Sequence, residues 1–385
     1  MNIDDEIIKM RRHLHQYPEI SDNEFNTAKY IESKLTEFKI PFKRVRKTGV
    51  IGLITTGKPG KTIALRTDMD ALPIEEQNSV RYKSKKRGLM HACGHDGHIA
   101  IILGAAKILS QTKNSLKGNI KFIFQPAEEE SDGALGMIRE GALENPKVDI
   151  ILGMHLNPQL PCGKIAFKYG AMMASSDKFT ITIDGLIAHG AQPHKGKDAL
   201  IAATELVSSC QTIISRELNP ILPAVLTFGK IYGGDAYNVI CKSVVLIGTA
   251  RALDSKVRAF IKLSIIKKMK ALEISAGVKC KMVYEPLQNQ LFNNPKITKL
   301  CIESAKEFYG IDNVLELSQP SMGGEDFADY LEKVPGNFAF IGSAKDKNTA
   351  YPWHHNRFNI DESVLPKAAK YMAYTAQKLL DSVVK

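Results

Sequence analysis

The segment Met90-His-Ala-Cys-Gly-His-Asp-Gly-His98 places a thiol, three imidazoles and a carboxyl group directly before a predicted helix at about residues 97–110. Short apolar runs rich in β-formers flank this helix along the chain. Strands that are nearly continuous apolar runs separated by helices are typical of a parallel sheet covered on both faces. We therefore predict an α/β unit whose mostly parallel sheet is sandwiched by helices. Its strands are predicted at residues 50–55, 62–66, 120–125 and 149–154.

The order of predicted helices and strands changes near Lys178. The pattern there predicts the order βαββαβ, which describes a compact α+β module with two helices on one face of a sheet. Its elements are predicted at residues 179–184, 198–218, 224–231, 243–253, 254–276 and 278–285. A helix, a strand and a closing helix follow at residues 296–309, 338–342 and 362–384. We therefore predict one α/β domain, residues 1–177 and 292–385, interrupted by an inserted domain, residues 178–291.

Near the N-terminus, Ser21 is followed three residues later by Glu24. This spacing is typical of a capping box, in which the two side chains satisfy the first backbone N–H groups of a helix. Apolar residues then recur at helical spacing from Ala28 to Phe38. The pattern predicts a helix that begins just after Ser21.

Polar groups follow several of the predicted strands, where ligands collect in open parallel sheets. Gln125-Pro-Ala-Glu-Glu-Glu130 follows one strand, His155 ends another, and Pro352-Trp-His-His355 lies near the C-terminus. Each piece alone has an ordinary explanation as a helix start, a solvated face or a hydrogen-bonded histidine. Thiolate, imidazole and carboxylate at successive strand ends, however, suit zinc or a similar divalent ion. The coincidence predicts a metal site.

Composition excludes several classes of protein. The chain has 385 residues, of which 44% are hydrophobic and 24% charged, values typical of a globular protein with more than one domain. The net charge of +11 raises the possibility of nucleic-acid binding. The basic clusters at residues 43–47, 83–87 and 267–270 are scattered, however, and match no docking motif. We expect solvated surface at these clusters and no nucleic-acid partner.

Hydropathy and cysteine spacing point to the cell interior. No run of apolar residues approaches the length of about 18 to 20 residues that spans a bilayer. The first residues of the chain include several acidic ones and do not resemble an export signal. The six cysteines form no close pair, so no disulfide framework is visible. The sequence therefore predicts a cytoplasmic protein without a membrane partner.

Seven motifs together resemble the amidohydrolase branch of the aminoacylase/carboxypeptidase metallopeptidases. This branch includes hippurate hydrolase, N-acyl-amino-acid amidohydrolases, N-acetyldiaminopimelate deacetylase and the plant auxin-conjugate hydrolases. The resemblance runs from about Ile7 to the C-terminus and implies a zinc-peptidase-like fold. The motifs are Arg66-Thr-Asp-Met-Asp-Ala-Leu-Pro73, Met90–His98, Gln125–Glu129, Gly153–His155, Gly170–Asp177, Gly323-Gly-Glu-Asp-Phe327 and His354–Glu362.

The resemblance implies two divalent metal ions (Zn, Mn, Co or Ni) per subunit and Glu128 as the general base beside them. Asp68 is expected next to a ligand, because Arg66 stands where wider relatives have a metal-binding histidine. His355 is expected to be an ordinary surface residue or to lie next to a ligand without binding metal. If Cys93 is a thiolate between two cations, we expect it to be reactive once they are removed. The implied ligands are Cys93, His95, Glu129, His155 and His354.

The resemblance also assigns roles in the inserted domain, which it implies to be a lid and dimerisation domain. His189 matches a residue that stabilises the oxyanion, either in its own subunit or across a dimer. Asn238 and Arg251 resemble positions that hold the substrate carboxylate, although an ordinary surface ion pair is an equal explanation for Arg251. A homodimer or higher homo-oligomer is expected.

The implied activity is metal-dependent hydrolysis of the amide bond of N-acyl-L-amino acids, with hippurate-like or N-acetyl substrates. Metal-activated water would attack the amide, and Glu128 would accept its proton. A dipeptidase or carboxypeptidase of the same family, or an N-acetyldiaminopimelate deacetylase, is the alternative.

Overall fold

A computed structural model describes residues 2–130 and 132–382. Val384, the predicted end of the closing helix, lies outside these ranges. All helices predicted above are present with ends shifted by a few residues, and three shorter or terminal helices were not predicted. The helices are α1 (Ile3–Gln16), α2 (Phe25–Glu37), α3 (His95–Gln111), α4 (Gly133–Arg139), α5 (Ala199–Thr212), α6 (Ser255–Ala276), α7 (Pro295–Tyr309), α8 (Phe327–Leu331) and α9 (Val364–Asp381).

The predicted strands are also present, together with several short strands that carry too little apolar pattern to predict. The strands are β1 (Phe42–Val45), β2 (Gly49–Thr55), β3 (Thr62–Asp68), β4 (Asn119–Gln125), β5 (Ile150–Pro161), β6 (Ile165–Phe167), β7 (Gly170–Met173), β8 (Ser175–Asp184), β9 (Ala188–His189), β10 (Ala224–Gly233), β11 (Val239–Ile240), β12 (Ser243–Ala252), β13 (Lys279–Gln288), β14 (Leu291–Asn293), β15 (Val314–Glu316) and β16 (Gly336–Ala344).

The chain forms two compact units. The first contains Met1–Gly170, Phe292–Ser318 and Asp326–Lys385, and the second contains Ala171–Leu291 and Gln319–Glu325. Residues 319–325, which the sequence placed in the interrupted α/β domain, group with the second unit because they form backbone hydrogen bonds with it. The N–H of Ala174 donates to the carbonyls of Ser321 and Gly323 at 3.1 and 2.9 Å.

The first unit is built on an eight-stranded sheet with the order β1-β2-β4-β3-β5-β16-β6-β15. Its centre is parallel: β3 pairs in parallel with β4 and β5, and β5 with β16. Antiparallel pairs occur between β1 and β2, β2 and β4, and β6 and β16. The predicted α/β class with a mostly parallel sheet is confirmed.

Alternating side chains of β5 separate the two faces of this sheet. Leu152 and Met154 lie in the main hydrophobic core, with residues of α1, α2, α3, α7 and α9. Gly153 points the other way, where a Cβ atom would come within 2.9 Å of the Phe327 ring at the start of α8. The close approach of α8 therefore requires glycine at this position, and helices cover both faces.

The second unit contains a four-stranded antiparallel sheet with the order β10-β12-β8-β13. Helices α5 and α6 contact each other and β12. Asp198 and Asp254 cap them, since each carboxylate accepts two N–H groups of the first helical turn. The predicted βαββαβ order is found, although α5 ends at Thr212 and a π-helical turn, Ile213–Glu217, completes the predicted helix.

The capping-box prediction was wrong. Helix α2 begins at Phe25, and the side chain of Glu24 makes no cap hydrogen bond. Glu19 takes this role, because its carboxylate accepts the N–H groups of Asn26 and Thr27 at 2.8 and 2.9 Å. Ser21 and Glu24 therefore point their side chains elsewhere.

Strand ends bring the candidate site together in the first unit. In the parallel pair of β3 and β4, Asp68 lies opposite Gln125, so the segments that follow both strands leave the sheet at the same edge. His155 of β5 pairs with Phe340 of β16. Among the residues that the structure describes, no helix is long and apolar enough to cross a membrane.

Candidate metal centre

Two candidate ligands flank the start of α3. His95 is the first residue of the helix, and Gly94 before it has a φ of 95°, a left-handed conformation that glycine adopts without a Cβ clash. This turn lets the side chains of Cys93 and His95 converge with that of His155 at β5. The three donor atoms lie within 4.8 Å of one another, and all three residues are buried.

Glu129 and His354 bring a second group of donor atoms to Cys93. The three ligand atoms lie within 4.8 Å of one another, and His354 Nε2 is 3.4 Å from Glu129 Oε2. The N–H of His354 donates to the carbonyl of Ala92 at 2.9 Å. This backbone bond fixes the C-terminal segment beside Cys93, with His354 at a φ of 64°.

Glu128 lies beside this cluster. It follows β4 by three residues and is 7% exposed. One of its carboxylate oxygens lies within 4.8 Å of ligand atoms of both His95 and Glu129. The preceding residue, Ala127, has a φ of 54°, so the chain turns sharply just before the two glutamates.

The donor atoms fit divalent cations. Within the described ranges, His95 Nε2 and Glu129 Oε1 are buried without a hydrogen-bond partner, and they lie 4.0 Å apart. Buried polar atoms normally have partners, so this pair points to a cation between them. Cys93 Sγ and His155 Nε2 are 3.4 Å apart. Thiolate, imidazole and carboxylate together form a donor set for borderline first-row metals.

Hydrogen bonds orient two imidazoles for metal binding. His95 Nδ1 is 2.9 Å from the carbonyl oxygen of Asp70, and His155 Nδ1 is 2.8 Å from that of Leu156. Because a carbonyl only accepts, Nδ1 carries the proton in both rings, and each Nε2 is left as the donor to a cation.

His98 is a supporting residue of this site. Its Nε2 accepts the N–H of Leu156 at 2.9 Å, and its Nδ1 is 2.7 Å from Asp68 Oδ1. Both ring nitrogens are therefore occupied. The other oxygen of Asp68 accepts from Arg66 at 2.9 Å. Asp68 thus lies among His98, Arg66 and, at 3.9 Å, His95 Nε2.

The carboxylates shape the protonation of the site. Burial opposes charge on both Asp68 and His95, yet their mutual attraction prevails. The pKa of Asp68 falls well below its usual value beside His95, His98 and Arg66. The pKa of His95 rises to about 10 beside Asp68, Asp70 and Glu129. The site therefore carries enough negative charge to hold a proton on His95, and a cation would compete for the same charge.

The surroundings of Cys93 oppose the expected reactivity of its thiol. Burial, together with Glu129, Glu128 and Asp68, raises the pKa of the Cys93 thiol well above its usual value. A raised pKa favours the neutral thiol when no cation is bound, and the thiolate is the reactive form. The carboxylates that folding brings beside Cys93 oppose a further negative charge on its sulfur.

Comparison with known proteins identifies the family. A model of peptidase family M20/M25/M40 matches residues 64–378. The chain belongs to this family. An N-acetyl-L-cysteine deacetylase of Bacillus subtilis strain 168 is 42% identical over 383 residues, which cover 99% of this chain and 89% of the relative. A hippurate hydrolase of Campylobacter jejuni is 36% identical over 381 residues, which cover 99% of this chain and 98% of the relative.

A solved structure extends the comparison. It is a Bacillus subtilis protein described as a dinuclear metal binding peptidase from the M20 family; it is 35% identical, has a TM-score of 0.87 and covers 99% of each chain. The resemblance found in the sequence is therefore confirmed. As a member of M20/M25/M40, the chain is an enzyme that hydrolyses amide bonds.

Asp70 belongs to the candidate site of this M20/M25/M40 enzyme but was not among the residues predicted from the sequence. It is buried, its Oδ1 lies 3.2 Å from His95 Nδ1, and its Oδ2 accepts the N–H of Glu129 at 3.0 Å and the hydroxyl of Ser21 at 2.7 Å. Its only sequence signal was its place within the motif from Arg66 to Pro73.

A second unpredicted group joins three buried side chains of the first unit. Arg66 donates to Asp326 at 2.6 Å and to Gln125 at 2.8 Å, and the amide of Gln125 donates to Asp326 as well. These bonds fix the end of β4, from which Glu128 and Glu129 follow. The sequence contains Arg66, Gln125 and Asp326 in three separate motifs, and only the fold brings these side chains into contact.

The remaining predicted residues lie in the second unit. His189 of β9 pairs with Val239 of β11, directly after Asn238, whose carbonyl accepts the N–H of Gly190 at 2.7 Å. Both His189 and Asn238 are exposed. Arg251 of β12 is half-buried and donates to the carbonyl of Met322 at 2.9 Å.

His355 is half-buried in the loop that follows Tyr351. Its ring stacks on Tyr351 at 4.7 Å between centroids, and its Nδ1 accepts the N–H of Arg357 at 3.0 Å. These contacts orient the ring within its own loop.

Proposed function

We propose that the chain is a two-metal amidohydrolase that cleaves the amide bond of N-acyl-L-amino acids, with N-acetyl or hippurate-like substrates. The observation that carries the proposal is the convergence of Cys93, His95, Glu129 and His155 with Glu128 beside them. The relatives named N-acetyl-L-cysteine deacetylase and hippurate hydrolase support the same substrate class.

Five residues would hold the cations. When bound, divalent ions such as Zn, Mn, Co or Ni supply Lewis acidity, which lowers the pKa of water toward about 7 and polarises the scissile carbonyl. Asp70 and the carbonyl of Leu156 keep the two buried imidazoles in the tautomer that binds metal. The ligands of the proposal are Cys93, His95, Glu129, His155 and His354.

Glu128 performs the proton transfers in this proposal. Its carboxylate accepts a proton from the attacking water and then delivers that proton to the departing amine nitrogen. Amide hydrolysis requires both steps, because an unprotonated amine is a poor leaving group. The small exposed fraction of Glu128 supports this role, since restricted access limits exchange of the proton with bulk water.

The second unit contributes substrate binding in this proposal. His189 donates to the developing oxyanion, a contact worth about 3 to 4 kcal/mol at comparable sites. Arg251 and Asn238 bind the free carboxylate of the amino acid, for which the planar guanidinium is well shaped. The positive net charge of the chain favours anionic substrates of this kind.

A homodimer or higher homo-oligomer is part of the proposal. The second unit exposes large apolar side chains, including Leu186 and Ile187 next to His189 and Tyr237 next to Asn238. Light scattering on the full chain tests it, and a monomer at micromolar concentration would contradict it.

The experiment that tests the activity measures the amino acid released from a panel of amides with Zn, Mn, Co or Ni supplied. The panel contains N-acetyl and N-benzoyl amino acids, unblocked dipeptides, longer peptides and N-acetyldiaminopimelate. We expect turnover of N-acyl amino acids and its loss in Glu128→Gln, but not in the control Glu130→Gln at the exposed neighbour. Preference for dipeptides or longer peptides would instead indicate a peptidase, and preference for N-acetyldiaminopimelate would narrow the activity to that deacetylase.

A further inference from the structure

Ser21 and Glu24, which were wrongly predicted to form a capping box, form hydrogen bonds with residues of the proposed site or next to it. Glu24 is fully buried, and its carboxylate accepts two hydrogen bonds. Oε1 accepts the N–H of Ala127 at 3.0 Å, and Oε2 accepts the hydroxyl of Thr48 at 2.8 Å. A residue that precedes α2 in the chain is thus bonded to the backbone one residue before Glu128.

The bonded residue has an unfavourable backbone conformation. Ala127 is buried with a φ of 54°, in the left-handed region that costs a non-glycine residue about 1 to 2 kcal/mol. Such a conformation persists only where the surrounding contacts enforce it. The bond from Glu24 and a second bond, from the N–H of Gly133 to the Ala127 carbonyl at 3.1 Å, enforce it here.

The backbone on the other side of Glu128 is held in the same way. The N–H of Glu129 donates to Asp70, and Asp70 in turn accepts the hydroxyl of Ser21. The backbone N–H groups of Ala127 and Glu129, on either side of Glu128, therefore each donate a hydrogen bond to a buried carboxylate. The loop from Ser21 to Glu24 contacts both of these amides, one directly and one through Asp70.

A purely structural role explains the position of Glu24 poorly. Burial raises the pKa of Glu24 to about 7, so the ionised form destabilises the fold relative to a neutral side chain. The helix that follows needs no help from it, because Glu19 caps α2. The carboxyl group supplies acceptors for the Ala127 amide and for the Thr48 hydroxyl, and of these two only Ala127 adjoins Glu128.

We propose that Glu24 is a positioning residue for Glu128: by accepting the Ala127 N–H, it holds the turn that sets the place of the general base. This inference rests on the proposed function. It assigns Glu24 no contact with substrate or metal. It predicts that an acceptor oxygen at this point is required and that its negative charge is not.

Four variants test the proposal in the full-length, metal-loaded protein. Glu24→Ala removes the acceptor, whereas Glu24→Gln keeps an acceptor oxygen for Ala127 and can donate to Thr48. Glu24→Ala combined with Ala127→Gly removes both the acceptor and the cost of the left-handed conformation. Glu19→Ala is the control, because Glu19 belongs to the same loop but its side chain bonds only the start of α2.

Steady-state kinetics on an N-acyl amino acid give the first readout. Misplacement of a catalytic group by about 1 Å can cost about 100-fold in rate. We expect Glu24→Ala to lower kcat about 10- to 100-fold, with KM and bound metal within about threefold of the parent. Glu24→Gln and Glu19→Ala should keep kcat within about threefold, and Ala127→Gly should restore at least about fivefold to Glu24→Ala.

Hydrogen exchange gives a readout that does not depend on activity. In Glu24→Ala, the amides of Ala127 and Glu129 should exchange at least about tenfold faster than in the parent, and in Glu19→Ala they should not. If the parent hydrolyses no amide in the panel, the proposed function fails, while this exchange still decides whether Glu24 holds the turn.

Several results would overturn the inference. These are parental kcat and exchange in Glu24→Ala, an equal loss of kcat in Glu24→Gln and Glu24→Ala, or a loss of activity that parallels loss of metal. If Glu24→Ala alone does not fold, the double variant and Glu24→Gln decide, and an inactive but metal-loaded Glu24→Gln is then the contradicting result.

Discussion

Cys93 and His155 are 62 positions apart in the sequence, yet Sγ of one lies 3.4 Å from Nε2 of the other. One side chain precedes α3 and the other lies in β5, so their contact depends on how the helix joins the sheet. Together with His95 Nε2 and Glu129 Oε1, which have no hydrogen-bond partner among the described residues, this contact defines the proposed cation site.

Metal should stabilise the first unit through this cluster. A ligand that binds only the folded state at 100 times its Kd adds about 2.7 kcal/mol to the free energy of unfolding. We expect Tm to rise when Zn or Mn is added to chelator-treated protein. The rise should disappear in His155→Ala and persist in Glu128→Gln, as scanning calorimetry would show. An equal rise in all three proteins would place the cation elsewhere.

Loss of the Glu128 carboxylate should abolish turnover without loss of metal. Glu128→Gln keeps the size of the side chain but cannot accept a proton, and general base catalysis contributes about 100- to 10,000-fold. We expect kcat to fall by at least about 100-fold, while metal analysis still finds as much bound metal as in the parent. A variant with parental kcat would refute the role of Glu128.

Arg251 should determine affinity for the substrate carboxylate. Arg251→Met is expected to raise KM at least about tenfold for an N-acyl amino acid, because a contact made equally in the ground and transition states changes KM and not kcat. KM for the matching N-acyl amino acid amide, which lacks the carboxylate, should not change. An unchanged KM for both substrates would indicate an ordinary surface residue.

The buried pair of Arg11 and Asp96 should dominate the stability of the N-terminal region. Arg11 Nε is 2.7 Å from Asp96 Oδ2, both side chains are fully buried, and Arg11 and His15 hold the pKa of Asp96 well below its usual value against the effect of burial. Arg11→Met leaves a buried carboxylate with one partner fewer, which costs about 3 to 5 kcal/mol.

Denaturant unfolding at neutral pH would measure this loss of stability. As a matched control, Lys34→Met breaks the more exposed pair with Glu37 and should cost less than about 1 kcal/mol. Similar losses in the two variants would argue against the buried pair as the source.

Glu24 should make stability depend on pH in the direction opposite to most carboxylates. Its pKa is raised from 4.5 to about 7 by burial, so between these values the folded state binds more protons than the unfolded state. Stability from this group is therefore highest below about pH 4.5 and falls by about 3 kcal/mol as pH rises to about 7.

Comparison with Glu24→Gln isolates this contribution from other titrating groups. The difference in unfolding free energy between parent and variant, measured from pH 4.5 to 8, should shift in favour of Glu24→Gln as pH rises. A difference that stays constant with pH would contradict the raised pKa.

The sequence by itself determined the elements and the candidate ligands. Apolar runs and helical periodicity predicted β2, β3, β4, α3 and both helices of the second unit to within a few residues, because these segments are buried and their period follows from burial. The motifs around Cys93, Glu128 and His155 likewise carried the family resemblance, since the residue types alone specify the donor set.

Only the tertiary structure decided which hydrogen-bond partners and charged neighbours surround the polar residues of the site. Ser21 and Glu24 fit a local capping pattern equally well in the sequence, but their side chains bond Asp70 and Ala127, which are remote in the chain. The protonation of Cys93 depended in the same way on carboxylates brought near by folding. Local patterns report on local hydrogen bonds, whereas buried polar groups take whichever partners the packed sheet places beside them.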